Sequence, residues 1–199
     1  MRAIPPAHEK DLFLAPYYGW LAERLVEAVE PDLSQGEAPE VPRYERSRRP
    51  GGTADVGFWT SRDVREVEKS HVNYVVADTR KWEQEAAYRL DRHRAVEAFV
   101  KNAGLGFAIP YLHNGEKREY FPDFIVRLRS APPVHLILET KGFDPLAEVK
   151  EAAAERWVNA VNADGTYGEW RYAVARKPAD VTRILESAAD GAKARSRSR

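Results

Sequence analysis

Asp123, Glu139 and Lys141 are the residues of this chain whose types and spacing can do chemistry. They sit in two apolar runs, Tyr120-Phe-Pro-Asp-Phe-Ile-Val-Arg-Leu128 and Val134-His-Leu-Ile-Leu-Glu-Thr-Lys-Gly142. In a strand the side chains alternate between two faces. Asp123 then shares a face with Phe121, Ile125 and Arg127, while Glu139 and Lys141 share one with His135 and Ile137. The link Ser130-Ala-Pro-Pro133 is short, so the runs are expected to pair antiparallel and to set Asp123 beside Glu139 and Lys141. Two carboxylates at the end of an oily sheet suit a hard cation such as Mg²⁺, which takes oxygen ligands and keeps several waters. An ammonium beside them can orient an attacking water and offset negative charge on a phosphate. The plain alternative is three surface residues at strand ends. Against it stand Pro122 before the Asp, the buried-strand run Leu136-Ile-Leu138 leading into the Glu, and Gly142 after the Lys. Polar groups at the end of a buried strand are costly unless paired or used.

The elements that must position these residues are legible in outline. Trp20, Leu21, Leu25, Val26 and Val29 fall at helical spacing, and Glu30-Pro31 should end that helix. From Pro31 to about Gly57 the chain is rich in Pro, Gly and charge, with Arg43, Arg46, Arg48 and Arg49 clustered, and reads as an irregular wrap or linker. Val72–Ala77 is β-prone. Residues 80–102 read as one long helix, closed by Asn102 and Gly104. Glu83 borders its buried face, one turn before Ala87. Phe107–His113 is a strand, Asn114-Gly115 signals a hairpin, and the returning strand carries Pro122-Asp123. His113, beside that turn, reads as structural. Residues 145–162 form an amphipathic helix with Leu146, Val149, Ala153, Trp157 and Val161 inward. Lys150 lies on the edge of that stripe, where it can reach a DNA phosphate or lie along the surface. Trp170–Ala175 is a last strand and 179–188 a last helix, followed by a basic tail, 191–199, expected to be disordered. The order is helix, three strands, helix, strand, helix: an α/β fold with a central mixed sheet.

Composition sets the outer limits. The chain has 199 residues, no cysteine, and 31 basic against 31 acidic side chains. Mean hydropathy is -0.58. Balanced charge rules out a generally basic nucleic-acid binder, so any DNA affinity must be local. The absence of cysteine excludes disulfides and thiolate metal sites. No apolar run approaches membrane-spanning length and no signal-peptide pattern opens the chain, which leads to the expectation of a cytoplasmic protein. There is no Gly-x-x-x-x-Gly-Lys-[Ser/Thr] loop, no Gly-x-Ser-x-Gly elbow and no His-x-x-x-His pair. A carboxylate-pair glycosidase has no natural place for Lys141.

Pro122-Asp123 followed by Glu139-Thr140-Lys141 resembles the PD-(D/E)xK nuclease motif. The flanking stretches Trp82-Glu83, Phe99-Val-Lys-Asn102, Leu105-Gly-Phe-Ala-Ile-Pro-Tyr111, Leu138-Glu-Thr-Lys-Gly142 and Arg156-Trp-Val-Asn-Ala-Val-Asn162 resemble the C-terminal endonuclease domain of type III restriction enzyme Res subunits and related helicase-nucleases. The resemblance covers about residues 55–175. It implies a restriction-endonuclease-like core at 71–190, preceded by an N-terminal extension at 1–70. It implies a DNA endonuclease using Mg²⁺, with Mn²⁺ able to substitute. Asp123, Glu139 and the Thr140 carbonyl would hold the metal, Lys141 would assist the nucleophile, and Glu83 would supply the further acidic group that helix often contributes. DNA, a separate ATP-dependent helicase or translocase and a specificity subunit are the implied partners, with a homodimer left open. The competing reading is a non-catalytic module that docks DNA or a helicase and cuts poorly without a motor. With no phosphate-binding loop, the chain alone is expected to cut at a rate indifferent to ATP, and one site per chain should nick plasmid before linearising it. Cleavage that requires ATP, or linear product without a nicked intermediate, would contradict this.

Overall fold

A strand that is apolar at nearly every position, as Val134–Leu138 is, must be covered on both faces. The computed structural model describes residues 15–28, 52–76, 82–140 and 144–197, with residues 15, 16, 27 and 191–197 described by backbone alone. In chain order the elements are helix α1 (Ala15–Glu27), a 3-10 turn (Thr53–Asp55), strands β1 (Val64–Glu66) and β2 (Tyr74–Val76), and helix α2 (Trp82–Arg92). Strands β3 (Val96–Lys101), β4 (Ile109–His113), β5 (Glu116–Tyr120), β6 (Phe124–Leu128) and β7 (Val134–Thr140) follow. Helix α3 (Ala147–Asp164), strand β8 (Glu169–Ala175) and helix α4 (Pro178–Arg197) complete them.

The main sheet has the order β3-β6-β7-β8. β6 runs antiparallel to both β3 and β7, and β8 lies parallel to β7. The sheet is therefore mixed, as expected. β7 separates two cores. Val134, Leu136 and Leu138 pack with Leu90 and Ala87 of α2 and with Val181 and Leu185 of α4. Ile137, on the other face, packs with Ala153, Ala154 and Val158 of α3 and with Ile109, Tyr111 and Tyr120 of the β4–β5 hairpin. Among the described residues no helix is long and apolar enough to cross a membrane.

Several expectations are corrected. The helix read over 80–102 is two elements. α2 makes its last helical bond from His93 N to Arg89 O, and the chain turns at Arg94-Ala95 into β3. Val96, Phe99 and Val100 favour a pleated surface, and pairing with β6 decides the matter. The run 120–128 is also broken. β5 ends at Tyr120 in a separate two-stranded sheet, and β6 begins at Phe124. Pro122 has no N–H to continue a ladder, so the chain bends there. Consequently the three antiparallel strands of the main sheet are β3, β6 and β7, with the β4–β5 hairpin inserted between the first two. Finally, the stripe expected on the first helix is not all inward: Trp20 is 55 % and Leu25 60 % exposed.

α4 continues through Arg197, where an unstructured tail was expected. The hairpin at Asn114-Gly115 is as expected, with φ of 52° and 76°, the left-handed pair of a type I′ turn. Val29, the arginine cluster at 43–49 and Lys141 lie outside the described residues.

Phe124 is fully buried, and its ring lies 6.3 Å from that of Phe99. Phe124→Ala is expected to lower unfolding free energy by about 3–5 kcal/mol, read by urea denaturation. A loss under about 1 kcal/mol would mean that this sheet end collapses around the cavity.

Candidate active site

β6 and β7 stay in register up to the pair Phe124 and Leu138. One step further along the same ladder Asp123 faces Glu139, and side chains take over from backbone. The Asp123 N–H donates to Glu139 Oε2 at 3.2 Å. In return Asp123 Oδ2 accepts from the Thr140 N–H at 2.7 Å and from the Thr140 hydroxyl at 2.5 Å. Bonds from a neutral donor to a carboxylate are short and strong. They fix both carboxylates at one sheet edge.

Two residues that the sequence reading did not single out complete the arrangement. Tyr120 ends β5 and is 3 % exposed; its hydroxyl donates to Glu139 Oε2 at 2.6 Å. Burial, and then the Glu139 charge, push the Tyr120 hydroxyl far above its ordinary range, so it remains a donor. The Tyr172 hydroxyl lies 3.5 Å from that of Tyr120 and is likewise pushed up by burial. Lys101 ends β3 and is 5 % exposed; its Nζ lies 2.7 Å from Glu83 Oε2 on α2. It also donates to the Val76 carbonyl at 2.7 Å. Each residue carried a faint signal. Tyr120 is an aromatic closing the charged run Glu116-Lys-Arg-Glu119. Lys101 interrupts the apolar run Ala98-Phe-Val100, but read as a helix that stretch gives no hint of its direction.

The structure thus brings Asp123, Glu139 and Thr140 together directly. Glu83 joins them through electrostatics. Burial is the main influence on Asp123 and pushes its carboxyl up. The Thr140 bonds pull it down, the Glu83 charge pushes it up and the Lys101 charge pulls it down; the net shift is upward. Lys150 is bound to Asp144, Nζ to Oδ2 at 2.9 Å, and lies 5.8 Å from the centre of the Tyr120 ring. It is therefore close to the site's wall and ion-paired. His113 stands apart, with Nδ1 3.4 Å from Glu23 Oε1 on α1.

Among the described residues no group of three or more His, Cys, Asp or Glu is arranged to hold a metal ion. The two-carboxylate edge nevertheless fits Mg²⁺, which needs only one or two carboxylates besides waters and phosphate. Both Thr140 bonds to the Asp123 carboxylate are made to Oδ2, and a carboxylate oxygen is a hard donor. Burial is what chiefly pushes the Asp123 carboxyl up, and a cation bound beside it would favour the charged form.

Compared with known proteins, the chain matches no family model, no curated protein and no solved structure.

A carboxyl that titrates higher folded than unfolded holds more protons in the folded chain between the two values. Its contribution to stability is then best below the ordinary carboxylate range and falls as pH rises through the folded value. Asp123→Asn removes that dependence, and its amide oxygen can accept both Thr140 bonds. In EDTA the variant is expected to melt above the wild type at pH 8 and to lose that advantage towards pH 4. A lower melting temperature at pH 8 would show that the Asp123 charge is stabilising.

Proposed function

We propose that this chain is a Mg²⁺-dependent DNA endonuclease, the nuclease part of a type III-like restriction system, whose reacting edge is the end of β6 and β7. The observation that carries the reading is the direct pairing of Asp123 with Glu139 across the two strands. Asp123 and Glu139 would hold the ion, with the Thr140 carbonyl as a further oxygen. Bound there, Mg²⁺ would supply the charge that polarises a phosphoryl oxygen and makes water acidic enough to attack.

The chain's own residues do the rest. The Thr140 N–H and hydroxyl hold the Asp123 carboxylate at Oδ2. Tyr120 and the Asp123 N–H hold Glu139 at Oε2. Neither carboxylate needs to reorganise when substrate arrives, and such preorganisation lowers the barrier. Lys141 follows Thr140 directly, so its ammonium is assigned to the attacking water and to the charge developing on the phosphate. Lys150, paired with Asp144 near Tyr120, is assigned to a flanking phosphate.

Asp123→Ala or Glu139→Ala is expected to abolish Mg²⁺- and Mn²⁺-dependent plasmid cleavage while the chain remains folded by circular dichroism. Lys141→Ala should still bind DNA and Mn²⁺ yet cleave about a hundredfold more slowly. Cleavage retained in both carboxylate variants would end the assignment at this edge. A Lys141→Ala chain that loses DNA binding but turns over bound substrate normally would make Lys141 a phosphate anchor.

A further inference from the structure

Glu83 and Lys101 are the buried charged side chains of the described residues, each 5 % exposed. Withdrawing such a pair from water costs several kcal/mol per ion, which their attraction offsets only with good geometry and further hydrogen bonds. An apolar pair of the same volume serves a core as well or better. The location of this pair supplies its reason. A β-bulge between Val96 and Ala98 shifts the register of β3 against β6, after which Lys101 lies opposite Phe124. Phe99 and Phe124 both belong to the core under α2, and Lys101 follows Phe99 by two along the strand. It therefore points to the α2 side, where it meets Glu83. The next residue, Asn102, donates its N–H to the Asp123 carbonyl at 2.8 Å. Lys101 thus stands one strand and one residue away from Asp123.

We infer that Lys101 is the resident cation of this acidic edge: it engages the Glu83 carboxylate, keeps it out of the divalent-ion ligand set, and leaves the ion to Asp123 and Glu139. The inference rests on the reading of those two residues as the ion's ligands. Lys101 is buried and touches no substrate, so it is a positioning residue. As a pair, Lys101 and Glu83 are neutral. Losing the lysine alone removes the contact to Glu83 and leaves an extra negative charge at this edge. Losing the carboxylate alone leaves an unbalanced positive charge. Losing both restores neutrality.

Calorimetric titration with Mn²⁺ tests this on Lys101→Met, Glu83→Gln, the double variant and Asp123→Ala, without any measurement of cleavage. Lys101→Met is expected to bind Mn²⁺ at least about tenfold more tightly than the wild type, and Glu83→Gln at least about tenfold more weakly. The double variant should return to within about threefold of the wild type, since a neutral pair then replaces a neutral pair. Double-variant binding as weak as that of Glu83→Gln would make Glu83 itself a ligand and overturn the inference. Unchanged affinity in Lys101→Met would overturn it too, while loss of binding in Asp123→Ala would leave the metal-site reading standing. Binding unchanged in Asp123→Ala would overturn the site reading, and the inference with it. A wild type that gives no signal beside a Lys101→Met chain that binds would overturn the inference, because the native site would then leave no ion to Asp123 and Glu139. No signal in any variant would end both. If Lys101→Met does not fold, Glu83→Gln and the double variant decide, because they part company under the two models.

Discussion

The site depends on how two strands satisfy their backbone where their ladder stops. β6 and β7 share regular register only as far as Phe124 and Leu138. Beyond that point Pro122 has no N–H to donate, and the N–H groups of Asp123 and Thr140 need other acceptors. A buried donor left unmet costs about 1–3 kcal/mol. The acceptors are the carboxylates themselves: Glu139 takes the Asp123 N–H, and Asp123 takes the Thr140 N–H. The two acids are thus held by the strands' own requirement for acceptors. Acids held for that reason keep their positions whether or not a ligand is present.

This lacing gathers groups from both faces of the sheet. Thr140 has the parity of Leu136 and Leu138, which face α2 and α4, whereas Glu139 has that of Ile137, which faces α3 and the hairpin. Asp123 reaches the Thr140 hydroxyl and feels Glu83 and Lys101, while Glu139 takes Tyr120 from the opposite core. A strand exposed on one face could not assemble such a set. The bulge in β3 matters for the same reason, because a one-residue slip exchanges the faces of every later side chain. Without it, Lys101 would project away from Glu83.

The antiparallel pairing that sets Asp123 beside Glu139 was legible because the run of β7 is apolar at nearly every position from Val134 to Leu138 and its link to β6 is short. Helix α3, β8 and the Asn114-Gly115 hairpin were legible from helical spacing, β-branched runs and turn chemistry. β3 was not, since Ala86, Leu90, His93 and Val96 continue a helical stripe across what is in fact a turn at Arg94-Ala95. Propensity is a weak prior there, and pairing with β6 overrides it. That error hid Lys101, whose direction is set by the bulge and by no feature of its neighbours in sequence. Tyr120 was hidden differently. It was read as the start of the strand bearing Asp123, when it ends the previous one. The bend at Pro122 is what lets Tyr120 come back under Glu139 from a separate sheet.

That separate sheet ties the site to the first helix. Gly19 of α1 lies so close to the hairpin turn that an added Cβ would stand 2.8 Å from the Asn114 carbonyl carbon. Only glycine permits that approach. Glu23, one turn on, accepts from the Asn114 N–H and lies 3.4 Å from His113 Nδ1. The hairpin is therefore gripped at its turn by α1 and at its base by the core under α3, where Ile109, Tyr111 and Tyr120 are buried. A two-stranded hairpin alone is marginal in water, so the position of the Tyr120 hydroxyl relies on both attachments. The exposed, charged stretch Glu116–Glu119 contributes nothing to the core. What holds Glu139 from below is thus a short sheet stabilised almost entirely by its two ends.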